Sequence, residues 1–401
     1  MDVAGAVSGE PGVAAKIEAF RGRPVDGHAP GLAPPRLDAY CAAGVTNDHE
    51  ATSYEEGLAK LRRGMALFLR AGSVADDLDA LLPLVTPERE RWCALCTDDR
   101  HPDDLLARGS VEEAVRRAMA AGLDPVAALR LATLNPATLL GLRDRGALVP
   151  GRLADLVVLE ELASFTVAAV YVGGRRVSEA GRLPPSASPP DLGPVAGRCR
   201  VDWRRSDLSL PARPGPMRIL EVPATGLWTR CALERPPVRG AEAVPDPARD
   251  LAKLVVFERH QGSGRTGRCL ARGLGLRRGA LASTVCHDHH NLIAAGCDDR
   301  SIRTAARAAA EAGGGLAVAV GEEVVARLPL PVAGLMSDRP LEEVAAGLAR
   351  VNRAARELGT RLDHPFMTLS FLGLEVIPEV KLTDRGLVEV GRGAVVDLYA
   401  A

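Results

Sequence analysis

In the first 142 residues, short apolar runs ending in polar residues alternate with longer amphipathic patterns, and this alternation constrains the fold more than any other feature. Pro24-Val25-Asp26-Gly27-His28 is one such run, Gly44-Val45-Thr46-Asn47-Asp48 the next, and Trp92 to Thr97 a later one. Leu37 to Ala43 predicts a helix between the first two. Ser53 to Ala71 predicts a long amphipathic helix, with Ser53 as N-cap and Glu56 three residues on, the pattern of a capping box. Helices are also expected over Ser110 to Ala121 and Asp124 to Leu134. Strands separated by helices pair in parallel, because each helix returns the chain to the start of the next strand. The expected class is α/β.

Two further textures follow. Gly151 to Leu159 reads as a turn feeding a buried strand, and Val167 to Val172, Gly173-Gly174 and Arg175-Arg176-Val177 as a hairpin with a two-glycine turn. Leu183 to Gly197 is rich in Pro, Ser and Gly and reads as a linker. Beyond it Lys253 to Phe257 predicts a strand, Leu316 to Val320 and Glu323 to Leu328 a hairpin, and Leu341 to Leu358 an amphipathic helix. The expected domains are residues 1–142, a β module with its linker over 143–213, and an α+β domain over 214–401.

Composition excludes some classes. The 401 residues carry a net charge of −1, which argues against a polyanion partner or nucleic acid. No stretch approaches the roughly 18 apolar residues of a membrane span, and the first ten residues lack the pattern of a targeting signal. A cytoplasmic protein with reduced cysteines is expected. Cys93 and Cys96 form an isolated CxxC without a second ligand pair at zinc-site spacing, and read as small residues on or near a buried strand.

Three residues stand where chemistry is expected. His28, His49 and Asp98 each follow a short apolar run, and side chains at the C-terminal ends of parallel strands converge on one mouth of a barrel. Two imidazoles and a carboxylate there form a plausible divalent-metal set. Each has a plain alternative, since a single His at a strand end can be a hydrogen-bonded structural residue and an Asp before a helix is often an N-cap. Asp99 competes with Asp98, which is preferred because it directly follows the strand and the Thr97 turn. Farther on, His287-Asp288-His289-His290 reads as a polar network or a loop over an active site in preference to a second metal site.

The segments Val25 to Gly31, Ala42 to Glu50 and Thr97 to Leu105 resemble, in order and spacing, the bacterial adenine deaminase family of metal-dependent amidohydrolases. Ala132 to Ala137 and Gly146 to Leu156 resemble a stretch common to many amidohydrolases. Glu258 to Gly264, Ser283 to Asn291, Leu328 to Ser337 and Pro365 to Leu372 resemble the family's C-terminal domain. The resemblance implies the C-terminal half of an amidohydrolase (β/α)8 barrel (strands 5–8), a small β module, and a C-terminal α+β domain of adenine deaminase type. It implies hydrolysis of adenine to hypoxanthine and ammonia with a pair of divalent metals, manganese or iron. His28 and His49 would bind one metal, and Asp98 would touch the other and handle the proton. Glu50, Arg100 and His101 are candidate contacts to adenine, and His287, Asp288 and His289 a candidate active-site loop.

The resemblance also implies a first-strand His-x-His pair and a fourth-strand bridging Glu that would precede Met1, so the chain is expected to begin just after the fourth strand. A half barrel exposes two sheet edges and an apolar face, and a homo-oligomer is expected. The competing class is a non-catalytic remnant or partner subunit of the same family. Zinc deaminases with H-x-E and P-C-x-x-C signatures are excluded, because Cys93-Ala94-Leu95-Cys96 follows Trp92 and no H-x-E precedes it.

Overall fold

The computed structural model describes residues 2–183, 191–223 and 227–400. The chain forms two compact units, Met1–Pro190 and Asp191–Ala401. The first half of the expected linker, residues 184–190, lies outside the described residues.

The first unit is built on four parallel strands in chain order: β1 (Asp26–Gly27), β2 (Asn47–Asp48), β3 (Ala66–Arg70) and β4 (Cys93–Cys96). Helices Arg36–Ala42 and Tyr54–Leu61 make the first two crossovers, and the short helix Leu78–Leu81 lies in the third. Helices Pro102–Arg108, Val111–Ala120, Pro125–Ala132 and Leu134–Leu139 follow β4. Leu67, Leu69, Cys93 and Leu95 share one core with Ala114, Val115, Ala118, Ala128 and Leu131. The strands form an open sheet with β1 and β4 at its edges, and no closed barrel is present among the described residues.

One expectation fails here. Ser53 to Ala71 is not a single helix: the helix stops at Leu61, Gly64 turns the chain at φ +78°, and Ala66–Arg70 becomes β3, buried along its whole length. The apolar residues of Ala66-Leu67-Phe68-Leu69 satisfy helical spacing as readily as a buried strand, and burial between two parallel neighbours decides the matter. The predicted N-cap is present, with Ser53 Oγ accepting from the Glu56 amide at 3.3 Å.

A small antiparallel sheet closes the unit: β5 (Leu156–Glu161), β6 (Thr166–Val172) and β7 (Arg175–Glu179). Gly173 and Gly174, both with positive φ, turn the expected hairpin. β5 was expected to be buried, but Val157 is 55% exposed and Val158 45%, and Ala169 is the one buried residue among the described residues of this sheet. Three strands without a second layer leave most of both faces in water.

The second unit is an eight-stranded sheet ordered Glu323–Pro329, Gly315–Val320, Ala280–Ser283, Leu292–Gly296, Leu251–Phe257, Thr266–Arg272, Met217–Glu221, Arg230–Glu234. Every neighbouring pair is antiparallel except Thr266–Arg272 with Met217–Glu221. Alternation along Leu251–Phe257 sorts the two cores. Val255 and Phe257 face the alanine-rich side of helix Asp299–Glu311, while Leu254 and Val256 share a core with helices Leu341–Glu357 and Pro365–Phe371. The expected hairpin and the expected helix are both present.

Gly267 marks the tightest approach in this unit. A β-carbon there would fall inside van der Waals contact with the backbone carbonyl of Thr383. Gly267→Ala is expected to cost about 1–3 kcal/mol by forcing two backbones apart, read as a lower urea midpoint; an unchanged midpoint would show that the two segments separate freely. All eight cysteines are free thiols. Among the described residues no helix is long and apolar enough to cross a membrane.

Candidate metal centre

Parallel pairing in near register sets four C-terminal strand ends side by side. Gly27 pairs with Asp48, Asp48 with Leu67, and Arg70 with Cys96. The residues that leave these ends are His28 after β1, His49 and Glu50 after β2, Arg70 at the end of β3, and Asp98 two residues past β4. Three of these, His28, His49 and Asp98, are the set expected from sequence.

The two imidazoles lie with ring centroids 5.7 Å apart, edge to face. Donor atoms of His28, His49 and Glu50 all fall within 4.8 Å of one another. Glu50 Oε1 is 3.2 Å from His28 Nδ1 and 3.5 Å from His49 Nε2. Asp98 is not a member of this trio. Its Oδ2 accepts a hydrogen bond from Arg70 Nη1 at 3.2 Å, and the same nitrogen donates to Glu50 Oε1. Asp98 itself has a left-handed backbone, φ +53°, which turns the chain directly after the strand.

Further side chains orient the histidines. His49 Nδ1 sits 2.9 Å from Asp26 Oδ2, so Nε2 is the nitrogen left to face Glu50. A carboxylate on the far nitrogen is the usual support of a metal-binding imidazole, because it fixes the ring and raises its basicity. The backbone amide of His28 donates to the Tyr40 hydroxyl. Electrostatics follow from burial. Burial pulls the His49 pKa down, but the Asp26 hydrogen bond and the charges of Asp26, Glu50 and Asp98 outweigh it and leave the group above the usual imidazole value. Burial raises the Glu50 carboxyl, and Arg70 takes back only part of that shift.

A divalent cation fits this donor set. Two imidazoles with a neighbouring carboxylate suit a borderline divalent metal, and the Asp26 contact presents His49 through Nε2.

The other expected residues lie elsewhere. Arg100 is spent on structure: its Nε donates to the Gly109 carbonyl, one Nη to the Ala71 carbonyl, and the other meets Glu113. His101 is buried and occupies the position before helix Pro102–Arg108 without a side-chain capping bond, its amide donating to Ser73 Oγ. His287, Asp288 and His289 belong to the second unit. There His287 Nδ1 is 2.6 Å from Ser370 Oγ and its ring stacks on Phe371, while His289 is held neutral, its pKa depressed by burial to about 4.

Sequence reasoning missed Arg70, Asp26 and Tyr40. Arg70 carried a signal, since it ends an apolar run as His28 and Asp98 follow theirs, but that run was read as the tail of a helix.

The family model described as "Amidohydrolase family" matches residues 11–177, and the one described as "Adenine deaminase C-terminal domain" matches residues 227–394. A protein named adenine deaminase from Desulfatibacillum aliphaticivorans is 44% identical over 401 residues, all of this chain and 70% of that protein. Proteins of the same name from Cereibacter sphaeroides (strain ATCC 17023) and Methylobacterium nodulans are 43% and 44% identical, each over 98% of this chain and 69% of theirs. The chain thus spans about 70% of the length of the curated relatives it matches. Among solved structures, a β-aspartyl dipeptidase from Fervidobacterium islandicum AW-1 is 18% identical with a TM-score of 0.37, over 46% of this chain and 54% of that one. An amidohydrolase from Thermotoga maritima MSB8 is 21% identical with a TM-score of 0.31, over 39% of this chain and 43% of that one. With relatives at 43–44% identity running through its whole length, the chain belongs to the adenine deaminase family, a branch of the amidohydrolases.

Proposed function

We propose that the chain acts in the hydrolytic deamination of adenine, with the β1–β4 sheet as part of an amidohydrolase (β/α)8 barrel. The observation that carries this reading is the meeting of His28, His49 and Glu50 within 4.8 Å at one sheet end, with Asp98 joined to them through Arg70. A divalent cation, manganese or iron by family resemblance, would be held by His28 and His49 and would supply the Lewis acidity that makes water nucleophilic near neutral pH.

The remaining chemistry falls to side chains. Asp98, 37% exposed at the strand end, accepts the proton of the attacking water and passes it toward the leaving nitrogen. The water oxygen bonds to C6 of adenine, the bond from C6 to the exocyclic nitrogen breaks, and ammonia and hypoxanthine leave. Glu50, beside both imidazoles and paired with Arg70, is the carboxylate that would complete the cation's donor set or contact the purine from the same strand end. Arg100, held by the Gly109 and Ala71 carbonyls and by Glu113, serves to brace the loop after β4.

The test is adenine loss by ultraviolet absorbance on the purified chain with added manganese. Conversion is expected, and Asp98→Asn is expected to reduce it at least a hundredfold, the scale of a lost general base. A folded chain that binds manganese and leaves adenine untouched contradicts the reading.

A further inference from the structure

Behind the histidines lies a buried ammonium that the deamination chemistry does not use. Lys60 projects from helix Tyr54–Leu61 and is fully buried. Its Nζ donates to Asp48 Oδ1 at 2.5 Å, to the Ala29 carbonyl at 2.9 Å and to Glu56 Oε1 at 2.9 Å. Each acceptor belongs to, or braces, a segment next to a histidine. Asp48 precedes His49 and also accepts the Glu50 amide through Oδ1 and the Ala29 amide through Oδ2. Ala29 follows His28. Glu56 Oε1 accepts the Gly31 amide at 2.8 Å. One cation and two carboxylates therefore tie the turn after β1 to the turn after β2.

We propose that Lys60 is a positioning residue for the histidine pair. Its ammonium, locked to Asp48, holds the His28 and His49 turns at metal-binding separation before a cation arrives. This rests on the reading that these histidines bind a divalent metal. The physical case is that two backbone turns on neighbouring strands drift independently unless something rigid joins them. Asp48 and Lys60 are buried to 0% side-chain exposure, so bulk solvent does not compete for their contacts. A ligand set held in place ahead of time binds a metal more tightly, because less ordering is left to be done on binding.

The experiment measures manganese affinity from the electron paramagnetic resonance signal of free Mn2+, on the full chain, beside circular dichroism and thermal unfolding of the metal-free protein. The main variant is Lys60→Met combined with Asp48→Asn, which removes the fully buried ion pair at nearly constant shape and leaves only the partly accessible Glu56 carboxylate, which still accepts the Gly31 and Thr52 amides. His49→Ala is the control for the site itself.

The expected result is a folded double variant whose manganese affinity is lower by about 10- to 100-fold, the range seen when groups supporting metal ligands are removed. A folded double variant with affinity within about threefold of the parent, while His49→Ala abolishes binding, overturns the role of Lys60 and leaves the metal site standing. A parent chain that binds no manganese, or binds it as well after His49→Ala, sinks the metal reading and this inference with it. Should the double variant not fold, Glu56→Gln decides. It weakens the partly accessible arm of the same tie and is expected to lower affinity severalfold; unchanged affinity in that variant also overturns the proposal.

Discussion

Arg70→Met is expected to destabilise the first unit by about 3–5 kcal/mol, the usual cost of removing one partner of a buried ion pair. Arg70 is 2% exposed and holds Glu50, Asp77 and Asp98 at once. Its guanidinium is planar and always charged, which suits it to serve several carboxylates from a buried position. Methionine fills most of the volume but leaves Glu50, itself 3% exposed, as an uncompensated buried carboxylate. The pH dependence has a definite sign. Burial raises the Glu50 pKa even with Arg70 present, and without Arg70 the folded-state value climbs further above the unfolded one. A raised carboxyl binds more protons folded than unfolded, so its stabilising effect is present in acid and lost as pH rises through the folded value. The deficit of the variant should therefore be small near the ordinary carboxylate range and grow toward neutrality. Hydrogen exchange of β1 to β4 amides across that range reads the effect locally. A deficit below about 1 kcal/mol, the scale of an exposed pair, would show that the cluster is solvated.

Lys381→Met is expected to work in the opposite direction. Lys381 lies on the strand Val380–Thr383 and is fully buried, with its Nζ donating to the Leu227 carbonyl at 2.9 Å. Burial depresses its pKa from 10.5 to about 7. The folded state then binds fewer protons than the unfolded state between those values, so stability rises with pH across the window and the burden is greatest below about pH 7. At 1.36 kcal/mol per pKa unit the full burden is on the order of 5 kcal/mol, and about 4 kcal/mol of it applies at neutral pH, where half of the folded-state ammonium is already discharged. Methionine removes it and leaves the Leu227 carbonyl without this donor, at a cost of about 1 kcal/mol. The net expectation is a gain of roughly 3 kcal/mol at neutral pH from these two terms. Urea unfolding at pH 6.5 and pH 9.5, values chosen to bracket most of the window, checks both parts. The parent should gain stability at the higher pH and the variant should not. A parent with no slope would mean that water or an anion reaches the ammonium.

The placement of three candidate residues at neighbouring strand ends was legible in the sequence. His28, His49 and Asp98 could be singled out because each follows an apolar run, and a residue leaving the end of a parallel strand lands at a shared edge whatever the rest of the fold does. The two-glycine hairpin and the helix Leu341–Glu357 were legible for a similar reason, since turn chemistry and periodicity are local. The third donor of the candidate trio was harder. Glu50 and Asp98 are both carboxylates near a strand end, and the choice between them rests on how the chain turns after β2 and β4.

Residue order by itself determined the alternation of strands and helices, the polar residues at their ends and the membership in a family, because each of these is written in neighbouring residues. Only the tertiary structure decided which charges are buried. In sequence Lys60 looks like half of a solvated helix pair with Glu56, Arg70 like the tail of an amphipathic helix, and Lys381 like an ordinary strand lysine. Their roles come from partners brought in from afar: Ala29 to Lys60, Asp98 to Arg70 and Leu227 to Lys381, 31, 28 and 154 residues distant. Whether water is excluded around a charge depends on every segment packed over it, and no local window of residues contains that information.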